Sequence, residues 1–224
     1  MLAQPVRVFL GSWSLAVMAL AILGTGSPAG DGPKVRSKAS AEASRGQTTR
    51  YEPTEPESPP SWESGSFFGV RGRGKVFVFV IDCSGSMGDG RLVRAKMELR
   101  RSIARLRFPQ SFLVVFYNDR PWVMPSGVPR SADVGSRLDL DRWLRRIDAE
   151  GATDPRAAMS LALGLRPDTI FLLSDGEFPR GTVEEIAARN TVRVPIHCID
   201  LGNGAGSEPL RRIAEQSGGQ YVER

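Results

Sequence analysis

The chain has 224 residues but only two cysteines and one histidine. Two thiols cannot build a disulfide framework. Cys83 falls in a polar loop and Cys198 in a strand-like run, so both are expected to be free, packed as small hydrophobes. The lone His197 lies inside the same strand-like run. A histidine-based catalytic triad therefore has no support, and no Cys/His set has zinc spacing. There is no Gly-x-x-x-x-Gly-Lys phosphate loop. Charge of one sign is also scarce: the net charge is +5, and the arginines are interleaved with acids. Without a dense basic block and its aromatic partners, nucleic acid is not an expected ligand.

Long apolar runs are limited to one. Val8 to Leu23 is almost wholly apolar, and Gly24 to Gly26 extend it to about 18 residues, the lower limit for crossing a bilayer. Residues 1–26 thus read as an N-terminal anchor or a cleaved signal segment, with Arg7 as the basic start. Ser27-Pro28-Ala29 is a poor small-x-small cleavage site because of its proline, which favours the uncleaved anchor, with residues 8–25 in the membrane. Lys34, Arg36 and Lys38 follow the run, and a strict positive-inside count would keep the rest in the cytoplasm. A short tail before a first apolar segment favours export instead. The expectation is an extracytoplasmic domain on a single-pass anchor, with secretion after cleavage as the alternative. Residues 27–65 are Ser, Pro, Gly and charge, with Pro53, Pro56, Pro59 and Pro60 set among glutamates. They read as a solvated linker, reaching ~35 Å for ~40 flexible residues.

Residues 66–224 read as one folded domain. Its centre is Val76-Phe77-Val78-Phe79-Val80-Ile81, an unbroken apolar run typical of a strand covered on both faces. Phe67-Phe68-Gly69-Val70 reads as an extended lead-in and Arg71-Gly72-Arg73-Gly74 as the turn before that strand. Further strands are expected at Phe112–Tyr117, Trp122–Met124, Thr169–Leu173, Val192–Leu201 and Gln220–Val222. Pro195 argues for an imperfect or edge-like position of the strand over Val192–Leu201. Helices are expected over Leu92–Phe108, Leu138–Ile147, Ala157–Leu165, Val183–Ala188 and Leu210–Gln216, from apolar residues at helical spacing. Alternating strands and helices imply an α/β fold with a doubly wound, mostly parallel sheet.

Three loops carry oxygen side chains. Asp82-Cys83-Ser84-Gly85-Ser86-Met87-Gly88 places Asp82, Ser84 and Ser86 at alternate positions after the central strand. Gly151-Ala152-Thr153-Asp154-Pro155 supplies Thr153, with Asp154 expected to cap the following helix. Ser174-Asp175-Gly176-Glu177 supplies Asp175 at the end of another strand. Parallel strands present their C-terminal ends on one side, so these loops converge. An all-oxygen set suits a hard cation, Mg²⁺ or Mn²⁺.

These residues resemble the metal-ion-dependent adhesion site of the von Willebrand factor A family. Asp82-Cys83-Ser84-Gly85-Ser86 stands as its Asp-x-Ser-x-Ser motif, Thr153 as its threonine and Asp175 as its second aspartate. The lead-in Phe67-Phe68-Gly69 also resembles bacterial exported members. The resemblance implies a Rossmann-like strand order 3-2-1-4-5-6. It also implies hydroxyl ligation by Ser84, Ser86 and Thr153, with Asp82 and Asp175 binding directly or through water. Neutral hydroxyls leave the cation electrophilic, so a glutamate or aspartate of a protein partner can complete its shell. The expected activity is metal-dependent protein binding rather than catalysis. One alternative is a structural subunit of a membrane assembly whose metal only holds the loops. A Mg²⁺-dependent phosphoryl-transfer enzyme is a more distant reading, since no second carboxylate lies two residues after Asp82.

Overall fold

The computed structural model describes residues 63–176, 178–202, 204 and 207–224. The apolar run, the linker up to residue 62 and Glu177 lie outside the described residues. Nine strands are present among those described: β1 (Ser64–Phe67), β2 (Val70–Arg73), β3 (Val76–Asp82), β4 (Ser111–Tyr117), β5 (Pro121–Val123), β6 (Arg130–Ser131), β7 (Thr169–Ser174), β8 (Ile196–Asp200) and β9 (Tyr221–Glu223). Five α-helices accompany them: α1 (Arg91–Arg105), α2 (Val134–Leu144), α3 (Arg156–Gly164), α4 (Thr182–Arg189) and α5 (Ser207–Ser217). Among the described residues, no helix is long and apolar enough to cross a membrane.

The all-apolar run becomes the middle of the main sheet, as its composition demands. The strand order is β5-β4-β3-β7-β8-β9, and β6 pairs with β4. Counting β3 as the first strand, this is the expected 3-2-1-4-5-6. Pairings of β3 with β4 and β7, of β7 with β8, and of β8 with β9 are parallel. Only the short β5 and β6 run antiparallel to β4. Phe77 to Asp82 are fully buried, because helices cover both faces. On one face Phe79 and Phe171 stack 5.3 Å apart, with Phe67 edge-on to both. Trp143 of α2 packs on Phe116 on that same side of the sheet. On the other face Ile186 of α4 and Ile213 of α5 lie against Ile196. The connections from β3 to β4 and from β7 to β8 move in opposite directions along the sheet, and right-handed crossovers then put their helices on opposite faces. The buried apolar residues among those described run from Phe67 to Ala214, all of them contained in a fragment starting near Ser61.

Several boundaries differ from the sequence reading. The turn falls at Phe68-Gly69, and Arg71 to Arg73 are strand, not turn: β1 and β2 form an antiparallel hairpin. The reason is local. Phe68 and Gly69 adopt φ of 49° and 81°, and glycine accepts that region without strain. The hairpin lays the buried Phe67 and Val70 on the sheet, while Arg71 and Arg73 point outward. The helix expected to reach Phe108 ends at Arg105, where Leu106 turns extended. The helix α2 starts four residues before Leu138, capped by Asp133, whose carboxylate accepts from Ser136 N at 2.7 Å. The strand expected over Val192–Leu201 is β8, which starts at Ile196 and lies inside the sheet, between β7 and β9, rather than at its edge. Pro195 precedes the ladder, so its missing N–H costs nothing, and its carbonyl accepts from Ile170 N at 3.0 Å. The strand β6 was not foreseen; two exposed residues give no periodicity to read.

Cys83 and Cys198 are free and buried. They lie at β3 and β8, two strand spacings apart, in keeping with the expectation of unpaired thiols. His197 is buried in β8, stacks on Phe171, and accepts from Gln220 N at 3.1 Å through Nδ1.

Candidate metal centre

At the end of β3 the backbone leaves the ladder and coils into a short 3-10 turn, Gly85–Met87. Asp82 is the last strand residue and is fully buried. Its Oδ1 accepts from Ser84 N at 2.8 Å, which bends the loop back over the strand end. Its Oδ2 accepts from Ser174 Oγ at 2.6 Å. Burial pushes the Asp82 carboxyl up from 3.8 to about 6, although the Ser174 and Ser84 hydrogen bonds pull the other way. Met87 is fully buried and pins the far side of the turn.

The other oxygens gather beside it. Ser84 Oγ and Ser86 Oγ are 3.0 Å apart. Ser86 Oγ donates to Asp175 Oδ1 at 2.7 Å. The second Asp175 oxygen accepts from Arg91 at 2.9 Å, and the same guanidinium donates to Ser86 O at 2.8 Å. The threonine loop is tied in through its backbone: Gly85 N donates to Gly151 O at 3.0 Å, and Glu150 N donates to Cys83 O at 2.9 Å. Thr153 Oγ1 and Ser86 Oγ face one point above Gly176, since a Cβ there would lie 3.7 and 3.8 Å from them. Five side chains from three loops, Asp82, Ser84, Ser86, Thr153 and Asp175, thus surround one hollow at the C-terminal edge of the sheet.

Asp154 does not enter the hollow. It forms an ion pair with Arg156 and accepts from Arg156 N at 3.1 Å, at the start of α3. That contact holds its carboxyl below the usual range. The neighbouring Cys83 thiol is pushed up to about 12, by burial and then by the nearby Asp82 charge. Tyr117, fully buried behind β3, donates to Leu173 O at 3.3 Å. Burial raises its hydroxyl well above the usual phenol range. Neither group is a ready nucleophile.

Among the described residues, no three His, Cys, Asp or Glu side chains come together as a metal cluster. A cation at the hollow would draw on two carboxylates and three hydroxyls. That donor set fits a hard dication, and the space above Gly176 leaves the hydroxyls facing it. Two residues at the hollow were missed in the sequence: Ser174, which donates to Asp82, and Arg91, which holds Asp175. Ser174 adjoins Asp175 and Arg91 opens α1, but neither position shows its partner without the fold.

A family model described as von Willebrand factor type A domain matches residues 77–223. The chain belongs to the von Willebrand factor type A domain family. Solved structures share the fold. A von Willebrand factor type A protein from Catenulispora acidiphila is 23% identical, with a TM-score of 0.61 over 69% of this chain and 40% of its own. The chain therefore spans well under half of that protein. The conserved hypothetical protein BatB from Bacteroides thetaiotaomicron is 16% identical, with a TM-score of 0.51 over 67% of this chain and 90% of its own. Proximal thread matrix protein 1 from the mussel byssus, in a form whose adhesion-site motif is occupied by zinc, is 19% identical. Its TM-score is 0.54 over 66% of this chain and 41% of its own. At these identities the likeness is one of fold. A comparison with curated protein sequences finds no match.

Proposed function

We propose that this von Willebrand factor type A domain binds one Mg²⁺ or Mn²⁺ through Asp82, Ser84, Ser86, Thr153 and Asp175. The bound metal captures a glutamate or aspartate of a protein partner. The observation that carries this reading is the convergence of Ser84, Ser86 and Asp175, with hydroxyl contacts of 3.0 and 2.7 Å, directly above the buried Asp82. When bound, the metal supplies an electrophilic centre that a carboxylate can complete. The protein's part is to hold the hydroxyls rigid. Asp82 is fixed by Ser84 N and Ser174, Asp175 by Ser86 and Arg91, and the threonine loop by Gly85 N. The zinc recorded in the mussel protein's motif supports a divalent cation in this fold. Zinc itself prefers nitrogen and sulfur donors, and the all-oxygen set here favours the harder ions.

The domain works as a binding module rather than an enzyme in this reading: among the described residues, no histidine or lysine hydrogen-bonds the hydroxyl of Ser84 or Ser86. Residues 8–25 anchor it to a membrane, and the linker sets it off the surface on the extracytoplasmic side.

The test is thermal melting with and without metal. Metal that binds only the folded state adds ~2.7 kcal/mol at one hundred times its dissociation constant. Asp82→Ala should remove that gain while leaving the metal-free protein as stable or more so, because a buried acid has gone. A wild-type melting curve unmoved by millimolar Mg²⁺ and Mn²⁺ would sink the reading. Partner capture by the fragment starting at Ser61, which keeps all of β1, should be lost in EDTA and restored by Mg²⁺.

A further inference from the structure

The edge of the sheet opposite the candidate metal centre is a second organised surface. Just before the parallel strands stand Arg73 and Lys75 (β3), Arg105 and Arg107 (β4), Arg166 (β7) and Arg193 (β8), all exposed. Arg73, Arg105, Arg107, Arg166 and Arg193 form no ion pair with a described residue. Few acids balance them. Glu63 is half-buried. Asp168 accepts from the backbone of Lys75 and Val76 at 2.7 and 2.8 Å, and Asp133 is used as the α2 cap. The metal edge carries more acids, with Asp119, Glu150 and the buried Asp82, Asp175 and Asp200 at or beside strand ends, alongside Arg91, Arg120 and Arg156. Among the described residues, these arginines without an ion pair thus gather at the starts of the strands.

Two apolar tips stand among these cations. Phe108, in the loop from α1 to β4, is 91% exposed, and Val192, in the loop from α4 to β8, is 54% exposed. A lone aromatic ring held almost wholly in water gives up the burial that usually makes it worthwhile. The strands β4 and β8 are three positions apart in the sheet, or ~14 Å at ~4.8 Å per spacing. A small ligand cannot touch both tips; a flat surface can. The chain also joins the domain at this edge. Gly74 N donates to Glu63 O at 2.7 Å, setting Glu63 beside the turn into β3. Residues 1–62, with the apolar run 8–25, are attached there.

We infer that this edge docks onto an anionic lipid bilayer, with Phe108 and Val192 entering the headgroup region and the arginines meeting the lipid phosphates. The inference rests on the membrane-tethered reading for the location of the surface. Tethering by ~40 residues keeps the domain at an effective millimolar concentration near the bilayer, so weak docking suffices. Docked this way, the domain turns its metal edge away from the membrane and towards a partner.

The test uses the fragment starting at Ser61, which lacks the apolar run, so the fate of that run does not bear on the result. Its cooperative melting establishes the fold first. The fragment is sedimented with vesicles of phosphatidylcholine alone or with 30% phosphatidylglycerol. Binding is expected only to the anionic vesicles, falling as salt rises. Each basic residue near such a surface is worth about fivefold in affinity, so the double variant R105E/R107E should bind roughly 25-fold more weakly or worse. Phe108→Ser should lose severalfold. All three residues sit at exposed positions around one loop, and unchanged melting temperatures confirm that the variants fold. The proposal is overturned if wild-type protein ignores anionic vesicles at low salt, or binds neutral ones equally. Equal binding by the charge-reversed variant also overturns it, as does arginine-dependent binding to a short DNA duplex without binding to vesicles.

Discussion

Asp82 carries the sharpest residue-scale consequence. Its carboxyl is held near 6 in the folded protein against 3.8 when unperturbed. A raised acid favours the folded state while protonated, so its contribution is fully present below pH 3.8. It fades as pH rises through about 6. About two pKa units correspond to ~3 kcal/mol. The metal-free protein should therefore lose stability between pH 4 and pH 7 relative to Asp82→Asn, which has no such proton to lose. Urea denaturation of both proteins across that range measures the difference. Added Mg²⁺ should cancel the wild-type loss at neutral pH and do little near pH 4, because protons and metal compete for the same carboxylate. A difference between the two proteins that stays flat with pH would contradict the buried, desolvated state of Asp82. The spacing of Asp82, Ser84 and Ser86 was legible in the sequence because alternation after a buried strand is a local pattern. The roles of Ser174 and Arg91 were not. Their contacts span 92 and 84 residues of chain.

At the scale of elements, the long strands announced themselves by composition. β3, β4 and β7 are apolar at nearly every position, whereas β8, equally buried, is broken by His197 and Asp200. The hairpin was misread because Arg71-Gly72-Arg73-Gly74 has the composition of a turn. Its glycines serve packing instead. A Cβ on Gly72 would meet Thr169 at 2.5 Å, so the second hairpin strand can cross the sheet only there. Gly219 makes the same point where α5 hands over to β9: its Cβ would lie 1.9 Å from Ile196 O. Gly219→Ala is expected to destabilise by ~3 kcal/mol, since backbone on both sides has to move. Gly164, at the end of α3, has nothing within 4 Å, and Gly164→Ala should gain up to ~0.5 kcal/mol from helix propensity. Chemical denaturation of the two variants reads both signs; an indifferent Gly219→Ala would mean that the β9 connection is looser than drawn.

At the scale of the whole molecule, the proposed anchor makes a prediction for the full-length chain. The full-length chain is expected to stay with carbonate-washed membranes at its uncut mass, while the fragment from Ser61 is soluble. Recovery of a product shorter by about 25–30 residues in the soluble fraction would instead show a cleaved signal peptide. Neither the basic sheet edge nor the position of Phe108 could be read from the chain. The cations are scattered from Arg73 to Arg193, and only the parallel alignment of strand starts gathers them.

The order of strands also decides when the candidate site comes into being. β3 is made early but ends between β4 and β7, and Phe79 pairs with Phe171 across ninety-two residues. Asp82, Ser84 and Ser86 thus wait through most of the domain's synthesis for Thr153 and Asp175. A partly made chain has its first strand pair but not yet all five of these oxygen side chains. Closing that long loop is a slow, late event. Ligation at loops that assemble late acts chiefly by delaying their opening. A cation there would lengthen the lifetime of the finished domain far more than it would hasten its birth.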